Sequence, residues 1–102
     1  MQFSEIIQRA KQIREKYAAL EKKQDGKEWT KEQLMQGFMK DVEDLKTILS
    51  SETINNEKLA HELSDCLWSV IILADKYNID LEASFIKTMD ELDKRIDEQN
   101  KL

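Results

Sequence analysis

The stretch L-A-H-E-L-S-D-C-L-W-S-V-I-I-L-A-D-K-Y, Leu59 to Tyr77, is the most apolar run of the chain, yet it carries Glu62 and Asp65 near its start. Its length and spacing predict a helix from about Glu57 to Tyr77. Leu59, Leu63, Cys66, Leu67, Val70, Leu73 and Ala74 form one face, and Trp68, Ile71 and Ile72 form another. The C-terminal half is therefore apolar nearly all round, which calls for burial on two sides. In so short a chain the second side is expected to be a subunit interface. Glu62, Asp65 and Ser69 make a flanking stripe beside the core face, whereas His61 is expected to point away from it.

An acidic counterpart, D-V-E-D-L, spans Asp41 to Leu45. It lies in a second predicted helix, Thr30 to about Ser50, where Leu34, Phe38, Val42, Leu45, Ile48 and Leu49 share one arc. Asp41 falls within that arc and Asp44 at its edge, while Glu43 points the other way. A carboxylate on a buried stripe is costly unless something neutralises it. Lys40 stands four residues before Asp44, so a surface pair is the plainer reading of Asp44. Gly37 in mid-helix costs roughly 1 kcal/mol against alanine and suits a close approach.

The remaining segments also read as helix. Phe3, Ile6, Ile7, Ala10, Ile13, Tyr17 and Leu20 recur at helical spacing up to roughly Lys23. Asp25-Gly26 marks a turn. Trp29 then precedes Thr30, an N-cap that Gln33 completes as a capping box. Trp29 is read as a hydrophobic staple or as a platform for stacking on a base. Ser51 to Asn56 is polar, with Asn55 or Asn56 as N-cap. Asn78-Ile79-Asp80 is a tight connection, with Asn78 left-handed and Asp80 an N-cap. A last helix runs from Leu81 to about Gln99, with Leu81, Phe85, Met89, Leu92 and Ile96 as core stripe and Lys87 and Arg95 on a flank. The last three residues, Asn100 to Leu102, are expected to fray.

Composition agrees with an all-α fold. The 102 residues suit one domain, residues 1–102, and include no proline and two glycines, with 36% charged and 40% hydrophobic. A net charge of −5 without any basic run argues against a nucleic-acid partner. The longest apolar run, Cys66 to Ala74, is too short to span a membrane. A single cysteine and no visible signal peptide point to the cytoplasm.

Two i, i+3 carboxylate pairs on consecutive antiparallel helices can face each other across a groove. Four oxygen donors, Asp41, Asp44, Glu62 and Asp65, suit a hard cation, Mg²⁺ or Mn²⁺. With His61 pointing away, an iron site of the Glu-x-x-His type is not supported, and Cys66 reads as inert packing. In a chain with 21 acidic residues such pairs also arise as solvated faces.

D-V-E-D-L, then H-E-L-S-D-C-L-W, then L-A-D-K-Y-N-I-D-L-E together resemble the MazG-type all-α nucleoside triphosphate pyrophosphohydrolases, whose motifs are E-x-x-E and E-x-x-D on successive helices. Glu62 and Asp65 match the second motif, and Asp41 and Asp44 stand where the first has glutamates. The resemblance covers roughly Trp29 to Arg95, and the ending K-T-M-D-E-L-D-K-R resembles the compact MazG-like branch. It implies a four-helix MazG-like bundle assembled as a homodimer or homotetramer. It also implies Mg²⁺ on Asp41, Asp44, Glu62 and Asp65, and cleavage of a nucleoside triphosphate between the α and β phosphates to a monophosphate and pyrophosphate. Glu62 would act as base, Lys87 and Arg95 would contact phosphates, and Trp29 and Trp68 would line a base pocket. Two departures stand out: the first motif reads Asp-x-x-Asp, one methylene shorter at each end, and Asp90 to Arg95 lacks the family's asparagine. The rival readings are a nucleotide or metal sensor without turnover and a helical interaction module.

Overall fold

The computed structural model describes residues 1–101; Leu102, assigned to the fraying end, lies outside the described residues. Four helices follow one another: α1 (Phe3–Asp25), α2 (Lys31–Leu49), α3 (Asn56–Lys76) and α4 (Leu81–Asn100), with no strand among the described residues. The chain is all-helical, as its composition and periodicity predict.

The helix ends fall where the local chemistry puts them. Gly26, at φ 80°, closes α1 in the left-handed conformation, its N–H donating to the Lys22 carbonyl. The Thr30 hydroxyl accepts from the Gln33 N–H at 3.2 Å, and the Gln33 side chain accepts from the Thr30 N–H at 2.9 Å, the reciprocal capping box. Asn55 caps α3 by accepting from the Lys58 N–H at 3.1 Å, and Asp80 caps α4 by accepting from the Ala83 N–H at 3.1 Å. Between these, Asn78 takes φ 57°. Its N–H donates to the Asp75 carbonyl at 3.1 Å and that of Ile79 to the Ala74 carbonyl at 2.9 Å. This pair of bonds is the Schellman arrangement, and it satisfies two of the carbonyls that the end of α3 leaves open.

The core lies where α1, α2 and α3 meet. Ala10, Leu34, Ile71 and Ile72 are buried, and Ile7, Trp68, Leu73 and Leu81 pack around them. The Trp68 indole N–H donates to the Ala10 carbonyl at 3.1 Å and so pins α3 to α1. A cation–π contact between Lys31 and Tyr77 (4.4 Å) ties the start of α2 to the end of α3.

Two expectations about faces are corrected. On α3 Trp68, Ile71 and Ile72 turn to the core, joined by Leu73 and Ala74 of the expected main face, while Leu63, Leu67 and Val70 of that face are exposed. Pattern alone cannot rank two apolar faces of one helix, because both have the same period; α1 and α2 cover only one of them. On α4 the expected core stripe is uncovered beyond Leu81: Phe85, Met89, Leu92 and Ile96 are exposed. The radius of gyration is 17.0 Å and the long dimension 58 Å, against about 13 Å for a compact domain of this size. The excess reflects α4 extending away from the core.

Thr30→Ala is expected to lower stability by about 1 kcal/mol, read as a lower urea midpoint with an unchanged slope.

Candidate acidic site and adjoining cavity

The expected carboxylates gather on the seam between α2 and α3, in two sets. Glu62 and Asp65 sit one turn apart on α3, half-buried, and with His61 place one ligating atom each within 4.8 Å of one another. His61 therefore does not point away from the stripe. Its Nε2 lies 3.2 Å from Asp65 Oδ2, because residues four apart share a helix side. Glu62 Oε2 is buried without any hydrogen-bond partner, a state that costs energy unless a donor or cation meets it.

Asp41 and Asp44 stand on α2 and are held by other partners. The Ser69 hydroxyl donates to Asp41 Oδ2 at 2.6 Å, across the seam. Lys40 reaches Asp44 at 3.4 Å, the surface pair expected from spacing. That pair is exposed and worth a few tenths of a kcal/mol at most, so it offers little resistance to a competing cation. The four acids do not converge as closely as the Glu62–Asp65 pair does, yet they share one neighbour. Burial pushes the Cys66 thiol above its usual range, and the charges of Asp41, Glu62, Asp65 and Asp44 push it further in that order. Cys66 thus lies amid the acids and stays a neutral thiol.

Asp41 and Ser69 also line a cavity of about 460 Å³ that opens between α1, α2 and α3. Tyr17, Trp29 and Trp68 line the same cavity, as does Lys40. The Tyr17 and Trp68 rings are tilted against each other at 5.7 Å. An added Cβ at Gly37 would lie 3.4 Å from the Trp29 indole, an ordinary contact, and would meet no neighbouring helix within 4 Å, so the expected close helix approach is not found there.

On the wall of the same cavity sits a charge pair that sequence reasoning missed. Arg14 and Glu21, two turns apart on α1, have side chains only 15% and 8% exposed. Glu21 Oε2 accepts from Arg14 at 2.9 Å, and Oε1 accepts both from Arg14 and from the Trp29 backbone N–H, the latter at 2.8 Å. The Arg14 guanidinium lies 5.9 Å from the Trp29 ring centre. Burial by itself would raise the Glu21 pKa; the bonds from Arg14 and Trp29 and the charges of Arg14 and Lys76 outweigh it and hold the carboxyl below its usual 4.5.

Both tryptophans expected in a binding pocket are therefore at the cavity. Lys87 and Arg95 are not: they are exposed on α4, and neither lines the cavity that holds Asp41. Ser69 was legible as part of the Glu62–Asp65 stripe; Arg14 and Glu21 carried no signal beyond helical spacing. No protein family, curated protein or solved structure matches the chain.

A depressed Glu21 pKa contributes stability above the unfolded value of 4.5 that is lost as pH falls through the lower folded value. The stability difference between wild type and Glu21→Gln is expected to be full at neutral pH and to shrink only below pH 4.5, read from urea midpoints across a pH series. For Cys66, alkylation by iodoacetamide at pH 8 is expected to be much slower in the folded protein than in urea, since both burial and the four acids disfavour the thiolate.

Proposed function

We propose that the chain is a Mg²⁺-dependent nucleoside triphosphate pyrophosphohydrolase of the MazG-like kind, working as a homo-oligomer. The observation that carries this reading is one cavity lined both by Asp41 and Ser69 and by Tyr17, Trp29 and Trp68. A carboxylate and aromatic rings within one space suit a ligand with an anionic, cation-bound part and a flat ring. Nucleotides have that shape.

The residues fit a hard cation. The donor set is carboxylate oxygen, and the orphaned Glu62 Oε2 is a buried atom in want of positive charge. Asp41, Asp44, Glu62 and Asp65 would hold the ion; Mg²⁺ suits them first and Mn²⁺ second. A bound divalent cation supplies charge neutralisation for the phosphates and an acidified water. The protein's own contributions follow from its geometry. Ser69 holds Asp41 on the seam, Glu62 serves as a proton acceptor, and Trp29 and Trp68 flank a base. Cleavage between the α and β phosphates would release a monophosphate and pyrophosphate.

A second reading, nucleotide binding without turnover, is favoured by the placement of Asp41 and Asp44. Each is engaged by its own partner, Ser69 or Lys40, and each is a methylene short of the family's glutamate. Oligomerisation is supported by the uncovered apolar side of α3 and α4. Phe3, Leu67, Val70, Leu81, Phe85 and Ile86 line an apolar groove of about 480 Å³. A second copy presenting the same surface would bury it, which is the self-complementary contact of a two-fold dimer.

Incubated with a panel of nucleoside triphosphates and Mg²⁺, the wild type is expected to release pyrophosphate, and Glu62→Ala to lose at least about a hundredfold of that rate. Cation-dependent nucleotide binding with no release would favour the second reading, and neither binding nor release by folded protein would sink both. In sedimentation, wild type is expected to run as a dimer or tetramer and Phe85→Glu as a smaller species; an unchanged profile would remove the proposed interface.

A further inference from the structure

The Arg14–Glu21 pair is almost wholly buried on α1. A buried ion pair commonly does no better than apolar residues of the same volume, and α1 has no apparent need of one beyond the tie to the Trp29 N–H. What the pair does achieve is orientation. Both Glu21 oxygens are occupied, Oε1 by Arg14 and the Trp29 N–H and Oε2 by Arg14 again. The guanidinium is thereby held over the Trp29 ring, 5.9 Å from its centre, on the wall of the cavity. Of the five N–H donors of an arginine, two go to Glu21, and among the described residues no other protein acceptor meets the rest. A charged, donor-only group on the wall of an open cavity, next to Trp29, selects for acceptors.

We propose that Arg14 is a specificity-determining residue that reads the polar edge of a carbonyl-bearing nucleobase (guanine, uracil, thymine or cytosine) and disfavours adenine. The inference rests on the nucleotide reading above and adds to it the class of base. Its chemistry is simple. A ring carbonyl offers lone pairs to a guanidinium, and guanine O6 and N7 accept from both prongs of an arginine. Adenine has no carbonyl, and beside its acceptor nitrogens it presents an amino group, which would set donor against donor. Glu21 acts through Arg14 as a positioning residue, saturated by its own bonds and so not competing for the base.

The test measures affinities of the α,β-methylene triphosphates of guanosine, uridine and adenosine with Mg²⁺, by calorimetry, for wild type, Arg14→Lys and the double variant Arg14→Gln/Glu21→Gln. Wild type is expected to prefer the guanosine and uridine analogues by about tenfold or more, the scale of one good two-pronged contact. Arg14→Lys retains a charge for Glu21 but loses the fork. The double variant removes both charges, so no unpaired carboxylate is left buried. Both are expected to lose most of the ratio between bases while binding the adenosine analogue about as wild type does. A purely structural Arg14 would instead weaken all three analogues alike and leave the ratio intact, which would overturn the proposal. Equal binding of all three analogues by wild type would overturn it too, with no variant needed, and would leave the nucleotide reading standing. Wild type that binds none of them would overturn both.

Discussion

α3 is apolar on two sides, and three helices of one chain cover only one of them. Everything else in the structure follows from which side is covered. Ile71 and Ile72 go inward with Trp68, against Ala10 and Leu34. That choice turns Leu63, Leu67 and Val70 outward and leaves the chain with an apolar surface continuous with α4. It also turns the Glu62, Asp65 and Ser69 stripe onto the seam with α2, neither fully buried nor free. A carboxylate in such a position loses part of its hydration, and Glu62 Oε2 finds no hydrogen-bond partner in exchange.

The acids and the cavity are two products of the same seam. Ser69 belongs to the acidic stripe of α3 and binds Asp41 of α2, and both residues line the cavity that Tyr17, Trp29 and Trp68 also line. The cavity wall carries both signs of charge: Asp41 and Lys40 from α2, and the Arg14–Glu21 pair from α1. An anionic ligand with a planar, polar part would meet Asp41 through a cation and the guanidinium directly.

How much of this was legible in the sequence depends on the range of the interaction involved. The caps at Thr30 and Asp80 and the left-handed turn at Asn78 are local, so residue type at a fixed offset was enough to place them; at α3 it narrowed the cap to Asn55 or Asn56, and the bond to Lys58 N–H decides for Asn55. The amphipathic stripes were legible as stripes. Which stripe faces inward was not, because Leu63 and Ile71 look alike to a periodicity argument and only the neighbouring helices decide between them. Glu62, Asp65 and Asp41 were visible as carboxylates beside apolar arcs. The side of α3 on which His61 falls was misjudged, though its spacing from Asp65 was there to be read. Arg14 and Glu21 were invisible for a different reason. On a helix with so many charges, an i, i+7 pair looks like surface until the Trp29 loop folds over it.

The junction between α3 and α4 has a mechanical consequence. Only Asn78, Ile79 and Asp80 intervene after Tyr77, and each is committed to a cap or to a backbone bond of one. The heading of α4 is therefore set by dihedral angles at a rigid elbow, and hardly by packing along its length. A helix of 20 residues is about 30 Å long, so a turn of about 10° at the elbow carries its far end through about 5 Å. Substitutions at three positions can thus re-aim the whole apolar edge of α4 without touching a residue on it. That makes the elbow the point at which the aim of α4 is most readily changed.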